Sequence, residues 1–306
     1  MKIRIGTRGS KLARWQAHWV ADELTKLGVE TEIIFLKTLG DVKSGPIGNV
    51  GTQGVFTKEI QRALLENQVD LAVHSLKDLP TEETEGLALA CVPPREQCGD
   101  ALIAGDYKSL DELPEGAVIA TGSARRKSQL KSYRSDFEVR DLRGNVDTRL
   151  QKLQEDDGLN AIILAEAGLR RLGLEEHISQ VLPKSIMLPA VGQGALGLET
   201  REDDAPTREA LAPMNDLVTH QAVLAERALL RTLRGGCIAP IGAWARQDNG
   251  SLKLDGVVLS ADGTQKVSAS ASADAEACEE LGIRTANELL AQGAGELLDN
   301  AREEDA

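Results

Sequence analysis

The chain has 306 residues, 42% apolar and 27% charged, the mix of a globular protein too long for one small core. Its 35 Lys and Arg against 48 Asp and Glu give a formal charge of −13, the wrong sign for a general nucleic-acid or anionic-membrane binder. No apolar run reaches the roughly 18 residues that span a bilayer, and the cysteines (Cys91, Cys98, Cys237, Cys278) form no C-x-x-C, which argues against a zinc site or a disulfide framework.

The opening Met1-Lys2-Ile3-Arg4-Ile5-Gly6 reads as a strand and lacks the apolar core of a signal peptide, so a cytoplasmic location is expected. Residues 11–27 predict a helix with Leu12, Trp15, Trp19, Val20, Leu24 and Leu27 on one face. Strands over 30–38, 71–76 and 87–92 and a helix over 57–66 follow. A second series begins after the Pro93-Pro94 break, with strands over 101–104, 118–121, 138–142 and 161–165 and helices near 124–133 and 146–154. The alternation predicts an α/β fold with mainly parallel sheets. Residues 195–199 read as a strand that could return to the first half, and 217–233 as a long helix. The last segment predicts strands near 252–259 and 266–272, then a helix over 275–290, a small α+β domain; 302–306 should fray.

The two halves open alike. Ile5-Gly6-Thr7-Arg8-Gly9-Ser10 and Ile119-Ala120-Thr121-Gly122-Ser123-Ala124-Arg125-Arg126 each place small and hydroxyl residues between a strand and a helix, where free backbone N–H groups favour anions. Residues 121–153 hold nine Lys and Arg against four acids. Arg8, Arg125, Arg126, Arg143 and Arg149 fall at predicted strand ends, where open α/β sheets bind ligands, and guanidinium groups match carboxylates. Together they suggest a polyanionic ligand in a cleft between lobes, although any one of them suits a solvated helix face. Asp78, beside Lys77 at the end of an apolar strand, is either an ordinary strand-end pair or a carboxylate held where a cation develops. Cys237, after two glycines, is either a small buried apolar residue or a modifiable loop thiol. Gly192-Gln193-Gly194-Ala195-Leu196-Gly197 matches a dinucleotide fingerprint, but Pro189 precedes it and a strand follows, which predicts a hinge or a tight crossover. Gly45, Gly48, Gly51 and Gly54 predict a loop over a site or a plain connector.

Several motifs resemble the porphobilinogen deaminase (hydroxymethylbilane synthase) family. They are Thr7-Arg8-Gly9-Ser10, His74-Ser75-Leu76-Lys77-Asp78-Leu79-Pro80, Gly122-Ser123-Ala124-Arg125-Arg126, Leu142-Arg143-Gly144-Asn145-Val146-Asp147-Thr148-Arg149, Leu188-Pro189-Ala190-Val191-Gly192-Gln193-Gly194 and Gly235-Gly236-Cys237, in order across the chain. The resemblance implies two periplasmic-binding-protein-like lobes (1–95 with 195–212, and 98–190) and a C-terminal α+β domain (215–306). It implies a dipyrromethane cofactor joined by a thioether to Cys237, onto which four porphobilinogens are added with loss of ammonia before hydroxymethylbilane is released for tetrapyrrole and heme synthesis. On the same basis Asp78 is catalytic, and Lys77, Ser123, Arg125, Arg126, Arg143 and Arg149 bind the cofactor. Arg8, Arg149 and Arg171 bind substrate, no metal is required, and the protein is a monomer without nucleic-acid or membrane partners. A growing chain of acetate- and propionate-bearing pyrroles is a polyanion, which accounts for arginines clustered in an acidic protein. A buried carboxylate such as Asp78 would stabilise positive charge on pyrrole nitrogens.

Two positions depart from the family's pattern. Gln53 stands where many bacterial members carry lysine, and Ala124 where leucine is usual. A two-lobed carboxylate sensor without chemistry is the alternative, and Cys237 discriminates, because a sensor needs no covalent cofactor.

Overall fold

The structure, a computed structural model, describes residues 1–36, 57–236 and 239–304. Strand β1 (Lys2–Thr7) buries Ile3 and Ile5 and leaves Lys2 exposed and Arg4 half-buried, the period of two that a sheet imposes. It runs parallel to β2 (Glu30–Phe35) and to β3 (Leu71–Ser75). After β4 (Leu87–Cys91) the chain crosses to a second sheet, made of β5 (Asp100–Ile103), β6 (Val118–Ala120), β7 (Glu138–Arg140), β8 (Ala161–Ala165) and β9 (Gln180–Val181). It then returns, and β10 (Leu196–Arg201) inserts between β3 and β4, antiparallel to both.

The sheet orders are β2-β1-β3-β10-β4 and β7-β6-β8-β5-β9. They are the same topology twice, with β1 and β6, the strands of the repeated motif, in equivalent places. In each sheet the fourth strand arrives from the other lobe and pairs antiparallel with both neighbours. The sheets are therefore mixed rather than mainly parallel, because a strand entering from the opposite lobe runs against those built by local strand–helix–strand crossovers. The two crossings lie side by side: Glu96 N donates to Gly194 O at 3.2 Å. A Cβ on Gly194, whose φ is +86°, would come within 2.5 Å of Glu96 O, so glycine is needed there. The Gly192–Gly197 motif is thus a crossing.

Helix α1 (Lys11–Lys26) starts at Ser10, whose Oγ accepts from Ala13 N at 3.3 Å. It packs Ala17, Val20 and Leu24 against Ile3, Ile5, Leu71 and Leu198. Trp15, expected on that face, is instead exposed at the lobe boundary. The first lobe also carries α2 (Lys58–Leu65); the second carries α3 (Ala124–Tyr133), α4 (Val146–Glu155) and α5 (Glu166–Arg171). Its core joins Leu102, Ile119, Leu130, Phe137 and Ile163. Helix α6 (Ala205–Leu211) follows β10, and Leu211 closes the first lobe's core.

Helix α7 (Leu217–Thr232), capped by Asp216, leads to an antiparallel sheet of β11 (Ile241–Asp248), β12 (Ser251–Leu259) and β13 (Lys266–Ala273). Helix α8 (Cys278–Ala291) packs Leu281 and Leu289 with Leu229 and Val258. Helix α9 (Ala294–Glu304) takes in residues 302–304 of the segment expected to fray, while 305–306 lie outside the described residues; Arg302 ties the helix down by donating to Arg234 O at 2.9 Å. Among the described residues no helix is long and apolar enough to cross a membrane.

Candidate active site

The residues just past β3 and β6, at the carboxyl ends of parallel strands, come together between the lobes. A 3-10 turn, Leu76–Asp78, ends β3 and carries Lys77 and Asp78. Lys77 is half-buried, with its Nζ 3.5 Å from Gln193 Oε1. Burial pulls its ammonium down to about 8, with Arg126 and Arg125 adding to the fall and Asp78 and Asp100 opposing it. Asp78 is exposed to the cleft rather than buried as expected. It acts electrostatically on Lys77 and, across the lobes, on Arg149.

On the second lobe Ser123 is the N-cap residue of α3, and Arg125 and Arg126 follow in its first turn. Both guanidinium groups are buried and converge on Asp100, which opens β5 and is completely buried. Arg125 is bidentate on its carboxylate at 2.8 and 3.2 Å. Arg126 reaches it through Nε at 2.8 Å and Nη2 at 2.7 Å. Gln193 donates to the same carboxylate at 3.1 Å. These partners hold the Asp100 carboxyl well below the usual carboxylate range despite burial. The Arg125 Nε is buried without a hydrogen-bond partner among the described residues.

Arg149, on α4, is half-buried and donates through Nε to Gly144 O at 2.8 Å. Burial, with Arg126 nearby, lowers it to about 10 against the pull of Asp78. Arg171, on α5, is buried and donates to Gly194 O at 2.7 Å. Its guanidinium lies 5.9 Å from the centre of the Trp15 ring on α1, and burial lowers it to about 10. Arg8 is half-buried after β1, and Arg143 is exposed. The structure thus brings Lys77, Asp78, Arg125, Arg126 and Arg149 into one electrostatic cluster. Arg171 lies at the lobe crossing, and Arg143 is exposed with no contact to this cluster among those described. Cys237 and the glycine loop with Gln53 lie outside the described residues.

The sequence did not single out Asp100, Gln193, Glu226 or Arg227. Gln193 links both lobes: its amide donates to Cys98 O, Gly99 O and Asp100, and its oxygen faces Lys77. Glu226, fully buried on α7, receives Arg95 at 2.7 and 3.0 Å and the backbone N–H groups of Gly192 and Ala245. A charged residue opening or interrupting an apolar segment was the available signal for Asp100 and Glu226.

The donor set fits a ligand with several carboxylates. Cations at the strand ends outnumber acids, and three of them (Lys77, Arg149, Arg171) are held below their usual values. An approaching carboxylate would relieve both conditions. Among the described residues no group of His, Cys, Asp and Glu could hold a metal ion.

A family model described as "Porphobilinogen deaminase, dipyromethane cofactor binding domain" matches residues 3–209, and its "C-terminal domain" counterpart matches 220–291. The porphobilinogen deaminase of Pelotomaculum thermopropionicum is 46% identical over 307 residues, covering 99% of this chain and 98% of that one. The Geobacter sulfurreducens protein of the same name is 48% identical over 300 residues, covering 97% and 94%. Among solved structures, a Salmonella typhimurium periplasmic binding protein described as highly specific for arginine aligns with a TM-score of 0.39 and 11% identity, covering 72% of this chain and 93% of that one.

Proposed function

This chain belongs to the porphobilinogen deaminase family and condenses four porphobilinogen units on a dipyrromethane cofactor, and we propose the following division of labour among its cleft residues. Cys237 anchors the cofactor through a thioether. Lys77, Ser123, Arg125, Arg126, Arg143 and Arg149 hold its carboxylates, and Arg8, Arg149 and Arg171 receive those of the incoming porphobilinogen. When bound, the dipyrromethane supplies the nucleophilic pyrrole end from which the product grows. Asp78 faces the cleft between these cations, favours positive charge on a pyrrole nitrogen and accepts the proton that leaves after coupling.

The observation that carries this reading is the placement of one exposed carboxylate, Asp78, beside the cations of Lys77 and Arg149. Arg125 and Arg126 need a qualified role. Both are buried and already paired with Asp100, so the pair sets a fixed positive wall more than two mobile arms. The chain divides into a lobe of 1–95 with 195–212, a lobe of 98–190 and a C-terminal domain of 215–306. It acts as a cytoplasmic monomer.

Asp78→Asn tests the assignment, because it keeps the side chain's shape and removes its charge. The cofactor mass on Cys237 should persist, since assembly happens once and can be slow, while kcat falls roughly 10²-fold or more. Asp78→Glu should keep part of the activity. Turnover of Asp78→Asn within a few-fold of wild type would leave Asp78 as no more than a neighbour of Lys77.

A further inference from the structure

We propose that Arg227 is a positioning residue for the reaction: it fixes the turn that carries Asp78 by donating to the two backbone carbonyls that follow it, a role that rests on the reading of Asp78 given above. Arg227 lies on α7, outside the strand-end motifs, and is 9% exposed. Burying a guanidinium is costly unless its N–H groups are satisfied. Here Nη1 donates to Leu79 O at 3.1 Å and Nη2 to Pro80 O at 2.7 Å. Burial lowers this arginine to about 10, partly offset by Glu199, so it stays charged at neutral pH.

The turn is held at both ends. At its entry Leu76 N donates to Ala195 O at 3.0 Å, and Gln16 donates to Ser75 Oγ at 2.8 Å. At its exit the Arg227 fork takes the carbonyls of Leu79 and Pro80. Asp78 lies between these anchors and is itself exposed, so its position depends on the backbone on either side rather than on side-chain packing. The support behind Arg227 is firm. Its neighbour Glu226 binds Arg95, Gly192 N and Ala245 N, which fastens the same helix turn to the lobe crossing and to β11. The same helix leads in sequence to Gly235-Gly236-Cys237. One helix therefore supports the catalytic turn and precedes the cofactor's attachment point. A planar fork on two adjacent carbonyls is a geometry that lysine cannot reproduce.

Displacing a reacting group by about 1 Å can cost on the order of 10²-fold in rate. Arg227→Met keeps the apolar stem and removes the fork. In the holoenzyme it should lower kcat roughly 10- to 100-fold with KM within about threefold, while the Cys237 adduct persists in the intact mass; Arg227→Lys should lie between it and wild type. The decisive readout is a double-mutant cycle. In an Asp78→Asn background, Arg227→Met should lower kcat by less than about threefold further, because the group it positions has already lost its charge. Fully multiplicative losses, or a folded Arg227→Met with kcat within threefold of wild type, would overturn the proposal. Should Arg227→Met not fold, Arg227→Gln, which keeps one donor, enters the same cycle with the same criteria. A wild-type rate in Asp78→Asn alone would instead remove the reading of Asp78, and this role with it; multiplicative losses with an impaired Asp78→Asn would remove only the role of Arg227.

Discussion

Replacing Asp100 by asparagine removes one negative charge from a point where two buried guanidinium groups converge. The wild-type carboxylate accepts two contacts from Arg125, at 2.8 and 3.2 Å, two from Arg126, at 2.8 and 2.7 Å, and one from Gln193, at 3.1 Å. Asparagine keeps one acceptor oxygen but turns an NH2 toward the arginines and leaves both cations without a counter-charge. Breaking a buried ion pair in this way costs about 3–5 kcal/mol, a large share of the 5–15 kcal/mol that typically holds a domain together. The clean measurement is urea unfolding in a Cys237→Ser background, which cannot carry the cofactor. There Asp100→Asn should lose about 3–5 kcal/mol. In cofactor-loaded protein the loss should be smaller, because ligand carboxylates share the neutralisation. The pH dependence follows from the same pairing. The folded-state pKa of Asp100 lies below its ordinary value of 3.8, so its contribution is present above that value and fades as acid protonates the folded form. Asp100→Asn should therefore flatten the acid limb of the stability curve. A loss under about 1 kcal/mol in the Cys237→Ser background would refute the reasoning, since that is the scale of an exposed surface pair.

Arg149→Leu should raise KM for porphobilinogen roughly 10- to 100-fold, the equivalent of about 1.5–3 kcal/mol for a charge-assisted contact; unchanged steady-state constants would contradict its role. Arg125 is a poorer position for that test, because its loss also unbalances Asp100. Lys77 stands at about 8 in the ligand-free protein, and a carboxylate beside it favours its charged form. Cofactor capture should therefore take up a proton above pH 8, and affinity should fall as pH rises through that value. Proton uptake during reconstitution of apoprotein near pH 9 checks this, and uptake unchanged in Lys77→Arg would count against it.

Local pattern made much of this fold legible. Alternating apolar residues marked β1, helical spacing marked α1 and α7, and the Thr7-Arg8-Gly9-Ser10 likeness to Thr121-Gly122-Ser123 marked two strands in equivalent sheet positions. Long-range pairing was not legible. Nothing in 101–104 or 195–199 indicates that these strands run against their neighbours, because that follows from the double crossing. Strand β11 escaped because Ala243 and Ala245 are small and give little apolar contrast. Its hairpin signal was nevertheless present: Asn249 and Gly250, both at positive φ (50° and 85°), join Asp248 to its partner Ser251. At the site, ionisable residues at strand ends could be picked out by type and place. Which of them pair with each other could not, since Asp100 meets Arg125 and Arg126 only through the sheet order. The exposure of Asp78 and the reach of Arg227 from α7 likewise depend on packing between separate cores.

The most direct measurement is the intact mass of the purified protein before and after a brief exposure to limiting porphobilinogen. The wild type should exceed its sequence mass by one dipyrromethane and then show a ladder of further pyrrole additions up to four, while Cys237→Ser shows neither. Fully active protein at its bare sequence mass, or the same adduct in Cys237→Ser, would contradict covalent assembly at this cysteine.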